Sequence, residues 1–98
     1  MSNKSSNREA DLNEFRQQLD AVDTAILKLV AERMEIIHQV GLFKKQAGIP
    51  VMQPNRVATV LDSRAEVAQG LGINPDVARR IWDVLIKEAC RLEEAVSG

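Results

Sequence analysis

Residues 10–46, ADLNEFRQQLDAVDTAILKLVAERMEIIHQVGLFKKQ, decide the fold of this chain. Leu12, Phe15, Leu19, Val22, Ile26 and Leu29 recur at alternating steps of three and four, the spacing of one face of an α-helix. The next beats are Arg33, Ile36, Val40 and Phe43. No proline interrupts the run, and Gly41 is its only weak point. The spacing predicts a helix from about Ala10 to Gln46. An arginine thus takes a place on the apolar stripe. A guanidinium does not shed its proton, and burying it unpaired costs several kcal/mol, so something anionic should meet it. Arg16 lies one residue beyond Phe15, and Lys44 one beyond Phe43. Three cations along one side of one helix point to a bundle whose interior holds an anionic ligand.

Working outward, Gly48 suits a helix C-terminal cap, and Pro50 blocks continuation. Pro54 suits the first turn of a second helix, with Gln53 just before it. Val57, Val60, Leu61, Ala65 and Ala68 form its apolar side, and Gly70 and Gly72 end it. Asn74-Pro75-Asp76 is a strong start signal: cap, first-turn proline, then an acid at the positive end of the helix dipole. Val77, Ile81, Val84, Leu85, Ala89, Leu92 and Val96 make the third helix amphipathic, ending near Val96. No strand pattern or repeat is visible. The expected fold is all-α, with three helices per chain and a long first helix. Residues 1–10 read as a flexible tail, and 11–98 as one helical domain.

Geometry then calls for a partner. A helix of about 35 residues is roughly 50 Å long. A compact globule of 98 residues is roughly 35 Å across. The stripe continues beyond what two shorter helices cover. Antiparallel pairing with another copy, as an intertwined homodimer, is the simplest remedy. The plainer alternative is a coiled-coil dimer with no ligand.

Composition removes several functions. The net charge is −1, which argues against nucleic acid as the main partner. The single cysteine, Cys90, has no internal disulfide partner and fits a reducing compartment. The polar start lacks a signal-peptide core, and no apolar run approaches the roughly 18 residues of a membrane span. A cytoplasmic location is expected. His38 is the only histidine, with no partner at ligand spacing, so it reads as a surface or boundary residue and no metal is expected. Cys90 has no clear base nearby and reads as packing.

Four cations remain: Arg16, Arg33, Lys44 and Arg56. Plain surface charge explains Arg16 and Arg56 well enough, with Asp20 as a helical partner for Arg16. It explains Arg33 less well. Lys44 suits a snorkelling position at the core edge. Glu88 and Glu93 would ordinarily be solvated, but Glu93 follows Ile86 and Cys90 at steps of four and three, toward the interior boundary.

Here the chain resembles the all-helical chorismate mutases, with their relatives acting on isochorismate and aminodeoxychorismate. The resemblance covers residues 11 to about 95. It rests on Leu12-x-x-x-Arg16-x-x-x-Asp20-x-x-Asp23, Leu29-Val30-Ala31-Glu32-Arg33, Val40-Gly41-x-x-Lys44, Pro50 and Arg56. It implies an intertwined homodimer with two equivalent sites. It implies that Arg16 enters the partner's site and that Arg33 stays in its own, each gripping a substrate carboxylate. Lys44 would bond a carboxylate and the ether oxygen, and Arg56 would hold charge and order the loop. Glu93 would bond the ether oxygen, Ala89 falls at a carboxylate contact, and Val40, Ile86 and Cys90 would shape an apolar wall. The reaction is the [3,3] rearrangement of chorismate to prephenate, which needs no nucleophile, metal or cofactor. The protein holds a dianion in a chair-like conformation and stabilises charge on the breaking ether oxygen. Bidentate arginines suit carboxylates, and a lysine suits the oxygen.

The pattern departs from the usual mutase at Gln53 and Val57, where acids that bind the ring hydroxyl are expected. Met52-Gln53-Pro54, Arg56-Val57 and Glu88-Ala89-Cys90-Arg91-x-Glu93 are similar to the aminodeoxychorismate and isochorismate relatives. Those two substrates are therefore the alternatives. Glutamate at position 93 donates a hydrogen bond only when protonated, which predicts better turnover at mildly acidic pH. A helical dimerisation or metabolite-binding module without turnover is the non-enzymatic alternative; a lost cation would mark it, and all four are present.

Overall fold

A computed structural model describes residues 4–97, with side chains from Arg8 onward. The described chain is all-helical: α1 spans Lys4–Ala47, α2 Pro54–Gly70 and α3 Pro75–Ser97. Helix α1 starts before the expected Ala10, so residues 4–10 of the expected tail are helical backbone; nothing in Ser5-Ser6-Asn7 forces a stop. The remainder of that tail lies outside the described residues. No described helix is long and apolar enough to cross a membrane.

The chain divides into two units, residues 1–33 and 34–98. In the first, the apolar stripe of α1 is exposed: Leu19 is 60% accessible, and Leu29 65%. Val30 and Arg33 are half-buried.

In the second unit, α2 and α3 pack as a hairpin, and the buried apolar residues are small: Val60, Ala65 and Ala68 on α2, Ala78 and Ala89 on α3. Alanines let two helices approach closely while covering little area. The end of α1 packs on α3 through Gly41, and Lys45 Nζ donates to the Val96 carbonyl at 3.3 Å. Gly48 then turns the chain at φ 68°, a conformation that carries no penalty without a Cβ. The expected start of α3 is present: the Asp76 N–H donates to Asn74 Oδ1 at 2.9 Å. Gln53 precedes α2 with no side-chain cap bond.

Two expected faces are displaced. Ile36 and Phe43 are exposed, whereas Met34, Ile37, Gly41 and Lys44 turn inward. On α3, Val77, Ile81 and Val84 are exposed, and Ala78, Trp82, Leu85, Ala89 and Glu93 line the covered side. Both helices carry apolar residues on more than one face, so periodicity alone selects the wider stripe rather than the one its own chain covers.

Candidate active site

The most consequential contact joins α1 to α3. Lys44 sits one turn after Gly41 on the inward face, and Glu93 sits one turn after Ala89 on the covered face of α3. Lys44 Nζ lies 2.7 Å from Glu93 Oε1, with side-chain exposures of 14% and 6%. That oxygen is buried and is not aligned for a hydrogen bond with any described group, so the pairing is one of charge. At this separation the lysine compensates the carboxylate regardless of angle. Lys44 Nζ also donates to the Val51 carbonyl at 3.0 Å. An ammonium has three hydrogens; the Val51 carbonyl takes one and the Glu93 carboxylate at most one, which leaves at least one for a ligand.

Ile86, Ala89, Cys90 and Glu93 fall on one side of α3 at steps of three, one and three. Ala89 is buried, and Ile86 and Cys90 are half-buried, as is Val40 on α1. Burial pushes the Cys90 thiol above its ordinary value, and the nearby Glu93 and Glu94 carboxylates add to that while Lys44 opposes it. A thiol raised in this way stays protonated near neutral pH, which makes it a poor nucleophile. Glu93 is buried, whereas its spacing alone put it at the interior boundary and the family resemblance put it at the ether oxygen.

The segment before α2 is tied to Lys44 through the Val51 carbonyl. Met52, Gln53, Pro54, Asn55 and Arg56 line a hollow of about 440 Å³. Gln53 and Arg56 are exposed, and Val57 is half-buried. The structure does not bring Gln53 or Arg56 into contact with Lys44 or Glu93; the Lys44–Val51 bond is the link to their loop.

Elsewhere, Arg16 is exposed, and its guanidinium donates to Asn13 Oδ1 at 3.2 Å rather than pairing with Asp20. Arg33 is half-buried and is not without a partner. His38 is exposed, as expected. Glu88 is held below the usual carboxylate range by Arg91, which donates to both of its oxygens at 2.7 Å. Among the described residues no cluster of three or more His, Cys, Asp or Glu is placed to hold a metal. Sequence reasoning missed two participants: the Val51 carbonyl, which no residue type announces, and Gly41, whose signal was a glycine inside a helix.

A lysine and a glutamate paired between α1 and α3, with arginines on the same chain, suit recognition of an anionic molecule. The model of the family "Chorismate mutase type II" matches residues 15–94. The chain belongs to the type II chorismate mutase family. A 4-amino-4-deoxychorismate mutase of Streptomyces pristinaespiralis is 40% identical over 83 residues, which are 85% of this chain and 64% of that protein. A 4-amino-4-deoxychorismate mutase of Streptomyces venezuelae is 35% identical over 86 residues, 88% of this chain and 84% of that protein. A chorismate mutase of Methanocaldococcus jannaschii is 30% identical over 83 residues, 85% of this chain and 84% of that protein. The chain thus spans less than two thirds of the first of these relatives and most of the other two. Within the type II chorismate mutase match lie every cation of the expected site and Glu93, from Arg16 to position 93.

Proposed function

We propose that the protein is a chorismate mutase-type isomerase that rearranges chorismate to prephenate without a cofactor. The observation that carries this reading is the buried Lys44–Glu93 pair, with one lysine hydrogen left for a ligand, in a chain of this family. In the rearrangement the ether C–O bond breaks as a new C–C bond forms, within one molecule and with no leaving group. The free Lys44 hydrogen meets the ether oxygen as negative charge builds there. Glu93 is assigned to the same ether oxygen through its pairing with Lys44; a Glu93→Gln variant with unchanged turnover would remove that role.

Arg33, Arg16 and Arg56 hold the two carboxylates, and Ala89 contacts one of them. Val40, Val57, Ile86 and Cys90 supply apolar wall, and Gln53 faces the ring substituent. Arg16 stands 28 residues before Lys44 in the sequence. The family resemblance assigns Arg16 to the site of a second copy, in an intertwined homodimer. The exposed stripe of α1 supports that assembly, because so many large apolar side chains on one helix are unfavourable in water. The partners of the protein are then its own copy and a small dicarboxylate, with no nucleic acid or membrane, in the cytoplasm.

A second reading, 4-amino-4-deoxychorismate as the substrate, is favoured by the two relatives of that name at 40% and 35% identity, and Gln53 suits an amine as well as a hydroxyl. Isochorismate with pyruvate elimination is the third. The test is the loss of chorismate absorbance with purified protein, with products separated by chromatography. Rapid formation of prephenate is expected. Negligible turnover of chorismate by a folded dimer, with turnover of the amino analogue in the same assay, would move the assignment to the second reading. Arg33→Leu is expected to lower turnover by orders of magnitude; a pure dimerisation module would tolerate it.

A further inference from the structure

Gly41 occupies the interior of a helix, where glycine is the least favourable residue after proline. Its neighbourhood explains why it is there. A Cβ at this position would lie 3.2 Å from the Cα of Glu93, 3.4 Å from its Cγ and 3.5 Å from the Cβ of Val96. The tightest of these contacts is with backbone, so α3 itself would have to give way by a few tenths of an ångström. The second is with the stem that carries the Glu93 carboxylate.

We propose that Gly41 is a positioning residue for the Lys44–Glu93 pair, an inference that rests on the assignment of that pair to the substrate's ether oxygen. Gly41 and Lys44 are three residues apart and share a helix face. The bare glycine backbone receives the Glu93 stem, and the carboxylate then reaches the lysine one turn further along, at 2.7 Å. Glu93 Oε1 has no hydrogen-bond partner among the described residues that would hold it in place otherwise. A methyl group at position 41 lifts the stem off α1 and lengthens the contact. Catalysis by fixed electrostatics is sensitive to sub-ångström misplacement, so the cost falls on the chemical step rather than on binding.

The test uses the full chain and two readouts. The first needs no substrate: the 13Cδ chemical shift of Glu93 near neutral pH, assigned by its disappearance in Glu93→Ala. In Gly41→Ala this signal is expected to move toward its position in Lys44→Met. The second is steady-state kinetics on whichever substrate the unaltered protein converts. Gly41→Ala is expected to lower kcat about tenfold with KM changed less than about twofold. Added to Glu93→Ala, it is expected to have no further effect on kcat. An unmoved Glu93 signal in a folded Gly41→Ala protein would overturn the proposal, as would an equal kcat loss in the Glu93→Ala background. A moved signal in a protein that converts neither chorismate nor its amino analogue would keep the positioning and remove the catalytic assignment. If Gly41→Ala does not fold, the same readouts apply to Gly41→Ala/Val96→Ala, in which the trimmed neighbour gives α3 room to yield.

Discussion

At the scale of single residues, Lys44 and Glu93 form a buried ion pair between α1 and α3. Removing one partner of a buried pair strands the other charge, which costs more than removing both. Lys44→Met is expected to destabilise the protein by about 3 kcal/mol in urea unfolding. Lys44→Met/Glu93→Leu is expected to recover most of that, at the same protein concentration, though not activity. Cys90 makes a pH-dependent prediction. Its thiol is raised above 9.0, so the folded state holds the proton more tightly than the unfolded chain does. That contribution is whole below about pH 9 and is lost as the pH rises through the folded value. Cys90→Val is expected to flatten the alkaline arm of the stability profile, and Cys90 is expected to react with a disulfide reagent at pH 8 more slowly than an unfolded cysteine. The sequence picked out Lys44 as a site residue from its charge and its place near a stripe. It placed Lys44 at the core edge rather than inside because Phe43, the larger apolar residue, claimed the inward position.

Helices are punctuated by local chemistry, and here the sequence was most legible. Pro54, Gly70 and Asn74-Pro75-Asp76 mark their boundaries through proline geometry, glycine and a side-chain cap, and each boundary falls where those residues put it. Asn74→Ala is expected to cost about 1 kcal/mol because the Asp76 N–H loses its acceptor, and Asn74→Asp is expected to cost little, both read from urea midpoints. The faces of the helices were less legible. A face is chosen by what lies opposite it, and the closest helix approaches here run over alanine and glycine, which carry almost no hydropathy signal. The burial of Glu93 was not legible in its own segment for the same reason, since Gly41, against which its stem packs, lies more than fifty residues earlier in the chain.

For the whole molecule, the apolar beats of α1 exposed in one copy are the largest unsatisfied feature. If Arg16 serves a second copy, two inactive variants restore each other. In a mixed dimer of Arg16→Ala and Lys44→Met, one site receives an intact Arg16 and an intact Lys44, and the other receives neither. Refolding the two together is expected to restore about a quarter of the unaltered activity, half the dimers being mixed with one good site each. Each variant alone is expected to stay inactive, and no recovery on mixing would place Arg16 outside the partner's site. This assembly was argued from the length of one helix, which the sequence made plain. The substrate's ring substituent was not legible, because Gln53 both donates and accepts and Val57 does neither.

The turn between α2 and α3, residues 71–74, is short enough that these helices meet almost as soon as they form. Contacts between neighbours in sequence close quickly, in milliseconds or less for helical hairpins of roughly this size. In the proposed dimer, the second copy arrives only by diffusion. Refolding is therefore expected to separate into a fast phase indifferent to dilution and a slower one whose rate rises in proportion to protein concentration, with turnover returning only in the second.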